Sequence, residues 1–313
     1  MPSGSDARCL VCGGESPQVR YRIPRYSVLE CRDCRQVFLW PLPSPEEIRG
    51  LFREFYTTGQ AGSLPELDGY YLYCFDDSPA NPLVRCYERW LAALERHQPP
   101  GRLLDVGCGT GLFLSVAQRR GWQVVGVDES PEGVKHARES FGVDAREGQF
   151  DAFEAEGSRF DAITGWDIIE HSRTPVELLR AMRRHLAPGG VVGLSTPNQE
   201  SLVERVASAL YHATGGWLTA PLEKLYFDQH FLYFTPATLR SALTRAGLGV
   251  LELEQEATDL ERLNLSAAMR VGLQALFRVS RWVGLENRLF VLARPRLPGA
   301  PDPAGSAEGG GAG

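Results

Sequence analysis

The chain has 313 residues, 43% of them hydrophobic and 23% charged, with a formal net charge of −6, as in a globular protein with one large core and a small satellite. That charge gives no general attraction to nucleic acid or to an anionic membrane. The opening MPSGSDARC lacks the apolar core of an export signal, and no run approaches the roughly 18 apolar residues of a membrane span, so the expectation is a cytoplasmic enzyme of bacterial type.

The first zone, residues 1–45, holds two cysteine pairs, Cys9-x-x-Cys12 and Cys31-x-x-Cys34, and two short β-like runs, Val19–Ile23 and Gln36–Trp40. Seven cysteines, an odd number, in a chain read without an export signal point to thiols or metal rather than disulfides. Each pair on a tight turn presents two thiolates to one ion, and two such turns complete a tetrahedron around zinc. With no coordination position left open, the ion is expected to be structural and to supply folding energy to a segment too small to fold alone. Over residues 1–40 six arginines face four acids, and a tetrathiolate zinc adds about −2. No basic stripe is left, so nucleic acid is disfavoured as a partner; covering a substrate pocket or mediating assembly fits better. Cys74, Cys86 and Cys108 have no partner apparent in the sequence.

Residues 46–98 read as a helical linker or cap. A helix starts at Ser44 with Ser-Pro-Glu-Glu, and Leu83–His97 has apolar residues at helical spacing. HQPPGR then breaks the chain. From residue 99 strands and helices alternate. Leu103–Val106, Gln123–Val127, Phe160–Thr164 and Val191–Ser195 read as short buried strands, with helices at Leu112–Arg119, Pro131–Phe141 and Val176–His185. That alternation predicts βαβ units and a parallel sheet. APGGV at Ala187 is read as a glycine-ended helix followed by a new strand. Thr235 caps a helix running through Ala246, and Gly249–Glu256 and Arg288–Ala293 are predicted strands. The domain thus runs over 99–297. The tail over 298–313 is expected to be disordered, since it cannot bury enough apolar surface to order.

The stretch RLLDVGCGTGLFL, from Arg102, carries Asp105 near the end of a strand and then Gly107, Gly109 and Gly111, which let the backbone turn tightly beside a ligand at a helix N-terminus. A dinucleotide fingerprint is spaced G-x-G-x-x-G; here the spacing is G-x-G-x-G, with Leu112 where the third glycine would fall. An acid just before the loop suits an ammonium or sulfonium ligand better than a pyrophosphate. Asp128, ending the second strand, is placed to accept from two ribose hydroxyls and fits either cofactor. The loop favours S-adenosylmethionine (SAM), with a nicotinamide dinucleotide and a dehydrogenase as the alternative.

FDAITGWDIIEH, HLAPGGVVGLSTPN and DQHFLYFTPATLRSALTRAGL resemble, in order and spacing, successive segments of class I SAM-dependent methyltransferases. The group most resembled is that of the quinone-biosynthesis O-methyltransferases, with their Glu-His after the fourth strand. The resemblance covers residues 100–295 and implies a Rossmann-like α/β fold, a seven-stranded sheet whose last strand, Arg288–Ala293, is antiparallel. It implies Asp105 and Gly107 near the methionine end, Asp128 with Glu129 at the ribose, Gly148, Gln149 and Phe150 beside the adenine, and Trp166 and Asp167 on the methionine side. CRDCRQVFLWPLPSPEEIRGLF is similar to the N-terminal zinc ribbons fused to some of these enzymes. The sugar C-methyltransferases also carry an N-terminal zinc site, with a further C-terminal domain that has no counterpart here.

Methyl transfer from a sulfonium is an in-line displacement, so the protein mainly aligns the nucleophile and excludes water, and a base near neutral pKa helps where the nucleophile is a hydroxyl or acidic carbon. His171, just past the fourth strand at the carboxyl edge of the sheet, is the first candidate, as base or substrate hydrogen-bond donor; bracing the next loop is the competing role. His230, among Tyr226, Phe231 and Tyr233, is the second. Asn198 can orient a polar substrate. His97, His136, His185 and His212 lie away from that edge and are expected to be structural or solvated. The acceptor is expected to be a small molecule or a glycan or secondary-metabolite precursor, with a ribbon-guided nucleic-acid methyltransferase as the alternative. Two amphipathic stretches bear on it. Leu202, Val203, Val206 and Leu210 form one helical stripe. Ala268–Leu285 carries Arg270, Gln274, Arg278 and Arg281 with Trp282, which leaves packing on its own domain and peripheral contact with a membrane surface as competing readings.

Overall fold

The computed structural model describes residues 7–58, 70–153, 159–227 and 229–296; the expected disordered tail lies outside them. The chain opens with an antiparallel meander, β1 (Pro17–Arg22), β2 (Ser27–Cys31) and β3 (Val37–Trp40). Helix α1 (Pro45–Thr58) starts at the Ser-Pro-Glu-Glu signal through a reciprocal cap, Glu47 N–H donating to Ser44 Oγ at 3.1 Å and Ser44 N–H to Glu47 Oε2 at 2.6 Å. Helix α2 (Pro82–Glu95) is capped by Asn81, whose side chain accepts from Leu83 N–H at 2.8 Å.

The alternating region follows as β4 (Arg102–Val106), α3 (Leu112–Arg119), β5 (Gln123–Asp128), α4 (Pro131–Phe141), β6 (Asp144–Glu147), β7 (Phe160–Trp166), α5 (Pro175–His185) and β8 (Leu186–Pro197). Then come α6 (Leu202–Ala213), the single turn α7 (Ala220–Glu223), β9 (Leu232–Tyr233), α8 (Pro236–Arg245), β10 (Leu248–Glu256), α9 (Ala267–Val283) and β11 (Arg288–Pro295). The large sheet has the order β10-β11-β8-β7-β4-β5-β6. Its β4–β8 strands pair in parallel, and β11 runs antiparallel to both neighbours. This is the class I SAM-dependent methyltransferase fold. No helix among the described residues is long and apolar enough to cross a membrane.

Period-two alternation distributes each strand over two cores. Leu103, Ala162, Val191 and Phe290 face α2 and α3, whereas Leu104, Ile163, Val192 and Val291 face α5 and α8. The second core also takes in Tyr21, Val28, Phe38 and Leu39 of the N-terminal meander. The meander is completed by β9, so its sheet has the order β1-β2-β3-β9. The ribbon therefore shares both hydrogen bonds and a core with the large domain.

Two details differ from the sequence reading. The Ala-Pro-Gly-Gly segment is not a glycine cap: α5 stops at His185, the chain is already extended at Leu186, and Gly189 (φ 81°) sits inside β8, where its register with β7 shifts. Helix α9 has only Ser280 buried, with Trp282 87% exposed, so it packs on its domain along one narrow face. Gly111 closes the β4–α3 turn at φ 81°, and a Cβ there would lie 2.6 Å from Ala137 Cβ on α4. Gly111→Ala should lower unfolding stability by about 2–3 kcal/mol, measured by urea titration.

Candidate functional site

The turn after β4 is built on backbone contacts. Gly107 N–H and Cys108 N–H both donate to Val127 O, at 2.8 and 3.2 Å, locking the turn to the end of β5. Gly107 (φ 74°) is in the left-handed region that favours glycine, and a Cβ there would stand 2.6 Å from Ile168 Cδ1, so any side chain would also displace Ile168. The loop is thus pressed between β5 and the segment after β7. Gly109 N–H donates to Asp128 Oδ2 and Ser130 N–H to Asp128 Oδ1, both at 2.8 Å. Each Asp128 oxygen keeps a second lone pair for a further donor.

Asp105 is buried at the end of β4 and accepts from Thr164 Oγ1 at 2.6 Å. Burial, with the Asp128 charge adding to it, pushes its carboxyl up to about 7. Trp166 ends β7 between Trp90 (4.5 Å) and Phe290 (6.0 Å), and its indole N–H has no hydrogen-bond partner. The Phe150 ring lies tilted against His185 at 5.5 Å, with exposed Gln149 beside it.

The Asp105–Gly109 turn, Asp128, Gln149, Phe150 and Trp166 border one cavity of about 1210 Å³, which runs from the glycine loop past Asp128, Glu129 and Phe150 on one side to His171 and His230 on the other. Of the expected cofactor residues only Gly111 is turned away, packed on α4. His136, expected to be structural, lies with Nδ1 3.3 Å from Thr110 O and so braces the loop. The acid-tipped strand, the side-chain-free turn and the two unused Asp128 lone pairs fit a cationic nucleoside ligand such as SAM.

The far end is organised by β7 and β11. Asp167 has a left-handed backbone (φ 54°), and its Oδ1 accepts from Arg288 Nη2 at 2.5 Å and Ser195 Oγ at 3.0 Å. Burial opposes ionisation, but the Arg288 guanidinium overcomes it and holds the Asp167 carboxyl below its ordinary value. Arg288 also stands 3.8 Å from Glu256, which accepts from Trp90 Nε1 at 3.0 Å. His171 Nδ1 lies 2.5 Å from Gln229 O, which fixes the ring against the segment that leads into His230. The His171 and His230 rings meet edge to face at 4.8 Å. Burial lowers both imidazoles, His230 well below its ordinary value with His171 adding to the effect. Glu170, behind them, is fully buried with neither carboxyl oxygen hydrogen-bonded, and burial, reinforced by Asp167, raises it well above the carboxylate range. One ligand atom from each of Glu170, His171 and His230 lies within 4.8 Å of the others, so two neutral imidazoles and a carboxyl converge.

Arg288, Glu256 and Trp90 were not singled out from the sequence. The one available signal was an arginine opening the apolar strand RLFVLA, since a charge at a buried strand end needs a partner.

The four ribbon cysteines converge with all Sγ atoms within 4.8 Å, Cys9–Cys34 and Cys12–Cys31 each at 3.5 Å. Tetrahedral zinc–thiolate bonds of about 2.3 Å require sulfur separations of about 3.8 Å, so the set fits. The two turns match bond for bond. Gly13 N–H donates to Cys9 O and Arg35 N–H to Cys31 O; Cys9 N–H donates to Gly14 O and Cys31 N–H to Gln36 O. Gly13 and Arg35 occupy the same left-handed position, at φ 77° and 63°. Burial pushes the Cys12 thiol up to about 11, and contact with Cys9 raises Cys34; a divalent cation reverses both by taking thiolates. Among the described residues none of 7–44 borders the large cavity, so the ribbon does not cover it directly.

A family model described as a methyltransferase domain matches residues 83–253, more than half of the chain. The chain belongs to the methyltransferase-domain family. This methyltransferase-family chain is 34% identical over 152 residues to a ubiquinone biosynthesis O-methyltransferase of Cereibacter sphaeroides, covering 47% of this chain and 60% of that one. It is 43% identical over 108 residues to the enzyme of the same name from Xanthomonas campestris pv. campestris, covering 32% and 45%. It thus spans about 60% or less of the length of these curated relatives. The solved 1,6-didemethyltoxoflavin-N1-methyltransferase of Burkholderia thailandensis superposes with a TM-score of 0.50 at 16% identity, covering 90% of this chain and all of that one, a likeness of fold.

Asp105 gives a signed pH dependence. Below its ordinary value of 3.8 it is protonated in both folded and unfolded chains and contributes nothing. As pH rises toward about 7 the unfolded chain releases its proton first, so stability falls, and above that the penalty is constant. Asp105→Asn should therefore gain in melting temperature relative to the unsubstituted protein between about pH 4 and about pH 7.5; a constant difference across that range would remove the assignment.

Proposed function

We propose that the chain is a SAM-dependent methyltransferase acting on a small-molecule acceptor with a weakly acidic X–H bond, releasing S-adenosylhomocysteine. The observation that carries this reading is the continuity of one cavity between the acid-tipped glycine turn and a pair of neutral histidines. When bound, SAM supplies a sulfonium-activated methyl carbon. The chain's own work is then alignment, proton removal and exclusion of water.

Asp105 and the turn after β4 would hold the methionine end, Asp128 with Glu129 the ribose, and Gln149 and Phe150 the adenine side. His171 is the base in this reading: its ring is fixed by the Nδ1 contact with Gln229 O, and the neutral imidazole takes the acceptor's proton. His230 presses against it in a pocket that disfavours charge, which favours handing the proton on. Asp167, tied down by Arg288 and Ser195, would orient the acceptor or its water. The relatives carry names that place them on small molecules, ubiquinone precursors and 1,6-didemethyltoxoflavin. The cavity's outer branch supports an acceptor with an apolar part, since it is walled by Val206 and Leu210 of α6 and Leu273 and Phe277 of α9. The Cys9, Cys12, Cys31 and Cys34 set would hold a structural zinc ion, its four thiolates leaving no open position.

Thermal unfolding with SAM, S-adenosylhomocysteine or NAD decides the cofactor: the first two should raise the melting temperature and NAD should not. A product search for +14 Da in small-molecule extracts then identifies the acceptor. With it in hand, His171→Ala should lower kcat by about 10²–10⁴, and the acid limb of the kcat/KM profile should lie below the ordinary imidazole value of 6.5 because burial depresses His171. Stabilisation by NAD alone would overturn the reading.

A further inference from the structure

The cysteine ribbon stays out of the cavity, yet it grips both elements that shape the acceptor half. The first is α6. Tyr21 on β1 is buried and donates to Glu204 Oε1 at 2.8 Å, lies 2.8 Å from Ser208 Oγ, and packs its ring on Tyr211 at 5.3 Å. Arg22 N–H donates to Tyr211 Oη at 3.2 Å. Glu204, Ser208 and Tyr211 follow i, i+4, i+7 spacing, one stripe of the helix. The neighbouring stripe, Val203, Val206, Ala207 and Leu210, borders the cavity. Helix α6 buries only Glu204 and Ala207, and Glu204 is the one that Tyr21 holds. Glu204 Oε1 collects further donors, Gln199 Nε2 at 3.0 Å and Tyr226 Oη at 3.1 Å, with Arg20 Nη2 at 3.5 Å.

The second element is the histidine pair. Strand β3 pairs with β9 in the register Phe38↔Leu232 and Val37↔Tyr233. Gln36, fully buried, donates to Tyr233 O at 2.8 Å, and Leu39 N–H donates to Phe231 O at 3.1 Å. Strand β9 begins two residues after His230, Phe231 N–H donates to Glu170 O at 3.1 Å, and Gln229 O holds His171. Because Cys31 N–H donates to Gln36 O, the metal-binding turn sets where β3 begins and hence where β9 stands.

We propose, resting on the methyltransferase reading above, that the metal-loaded ribbon is the positioning element of the acceptor half: Tyr21 and Gln36 fix α6 and the His171–His230 pair, while the SAM half stands without them. Glycine loop, Asp105 and Asp128 are held by β4, β5 and α4, which carry no ribbon hydrogen bond among those described.

The test uses the full-length zinc-loaded protein, its Tyr21→Phe variant with zinc content verified, and the same protein stripped with a chelator. Amide hydrogen exchange is followed by mass spectrometry, the histidine ring signals by NMR, and S-adenosylhomocysteine affinity by calorimetry. In Tyr21→Phe, exchange over residues 202–213 should rise about fivefold, the effect of losing one buried hydrogen bond to a carboxylate. Affinity for S-adenosylhomocysteine should stay within about twofold. Stripping should also speed exchange over 229–233 and move the His171 and His230 ring signals, with residues 103–111 and 123–128 still protected. Unchanged protection of 202–213 in Tyr21→Phe overturns the proposal. So does parallel loss of protection in both halves on stripping, which would make the ribbon a general folding element. Failure of the unsubstituted protein to bind S-adenosylhomocysteine would sink the methyltransferase reading instead, leaving the exchange data to decide the ribbon's role.

Discussion

The site depends on one steric constraint: the chain after β4 must turn with its backbone against Val127 on one side and Ile168 on the other. Gly107 takes a left-handed backbone (φ 74°) there, and a Cβ would push against Ile168 Cδ1, so the backbone itself borders the cavity at that point. The turn places Asp105 under the bend and brings Gly109 N–H onto Asp128. One backbone decision therefore fixes both acids, the lip of α3 and the edge from which His171 projects. Glycine here is a requirement of close approach rather than of flexibility.

Charge follows from that burial. Raising a carboxyl from 3.8 to about 7 corresponds to roughly 4 kcal/mol against the ionised form. A unit positive charge at ionic-contact range, at an effective dielectric near 20, contributes about the same amount in return. Asp105 is thus balanced for a cationic ligand, whereas an anion such as pyrophosphate would add to the penalty. At the other end the Asp167–Arg288 pair stays ionised because the two partners neutralise each other, and the two imidazoles stay neutral because burial outweighs the pull of the Asp167 charge. A neutral imidazole is the form that can accept a proton.

The parallel sheet was legible because its strands are buried on both faces and bounded by glycine and helix signals; Leu103–Val106 and Phe160–Thr164 needed nothing beyond their own apolar runs. Strand β6 was not, since Asp-Ala-Arg-Glu at the sheet edge buries only Ala145. Nor was β9, two residues inside an aromatic run that reads as pocket wall and becomes a strand only because β3 offers it a partner. Asp105 and Asp128, the histidine pair and the cysteine pairs were legible as candidates because each stands in a recognisable local spacing, and the structure brings them to one cavity or one cluster. Glu204, Arg288 and Glu256 could not: their meaning comes from partners, Tyr21, Asp167 and Trp90, at least 100 residues away in the chain.

That distinction also accounts for the ribbon. A meander of three short strands cannot bury enough apolar area to fold alone. Here it has two remedies that act at different points. Four convergent thiols tie the two turns together, and β9 lends a fourth strand while Tyr21, Phe38 and Leu39 enter the core of the large sheet. The second remedy has a consequence the first lacks. A strand borrowed from the segment carrying His230 couples the ribbon's order to the site, because β9 cannot pair with β3 and move independently of it. A freestanding metal domain on a flexible tether would need none of these contacts.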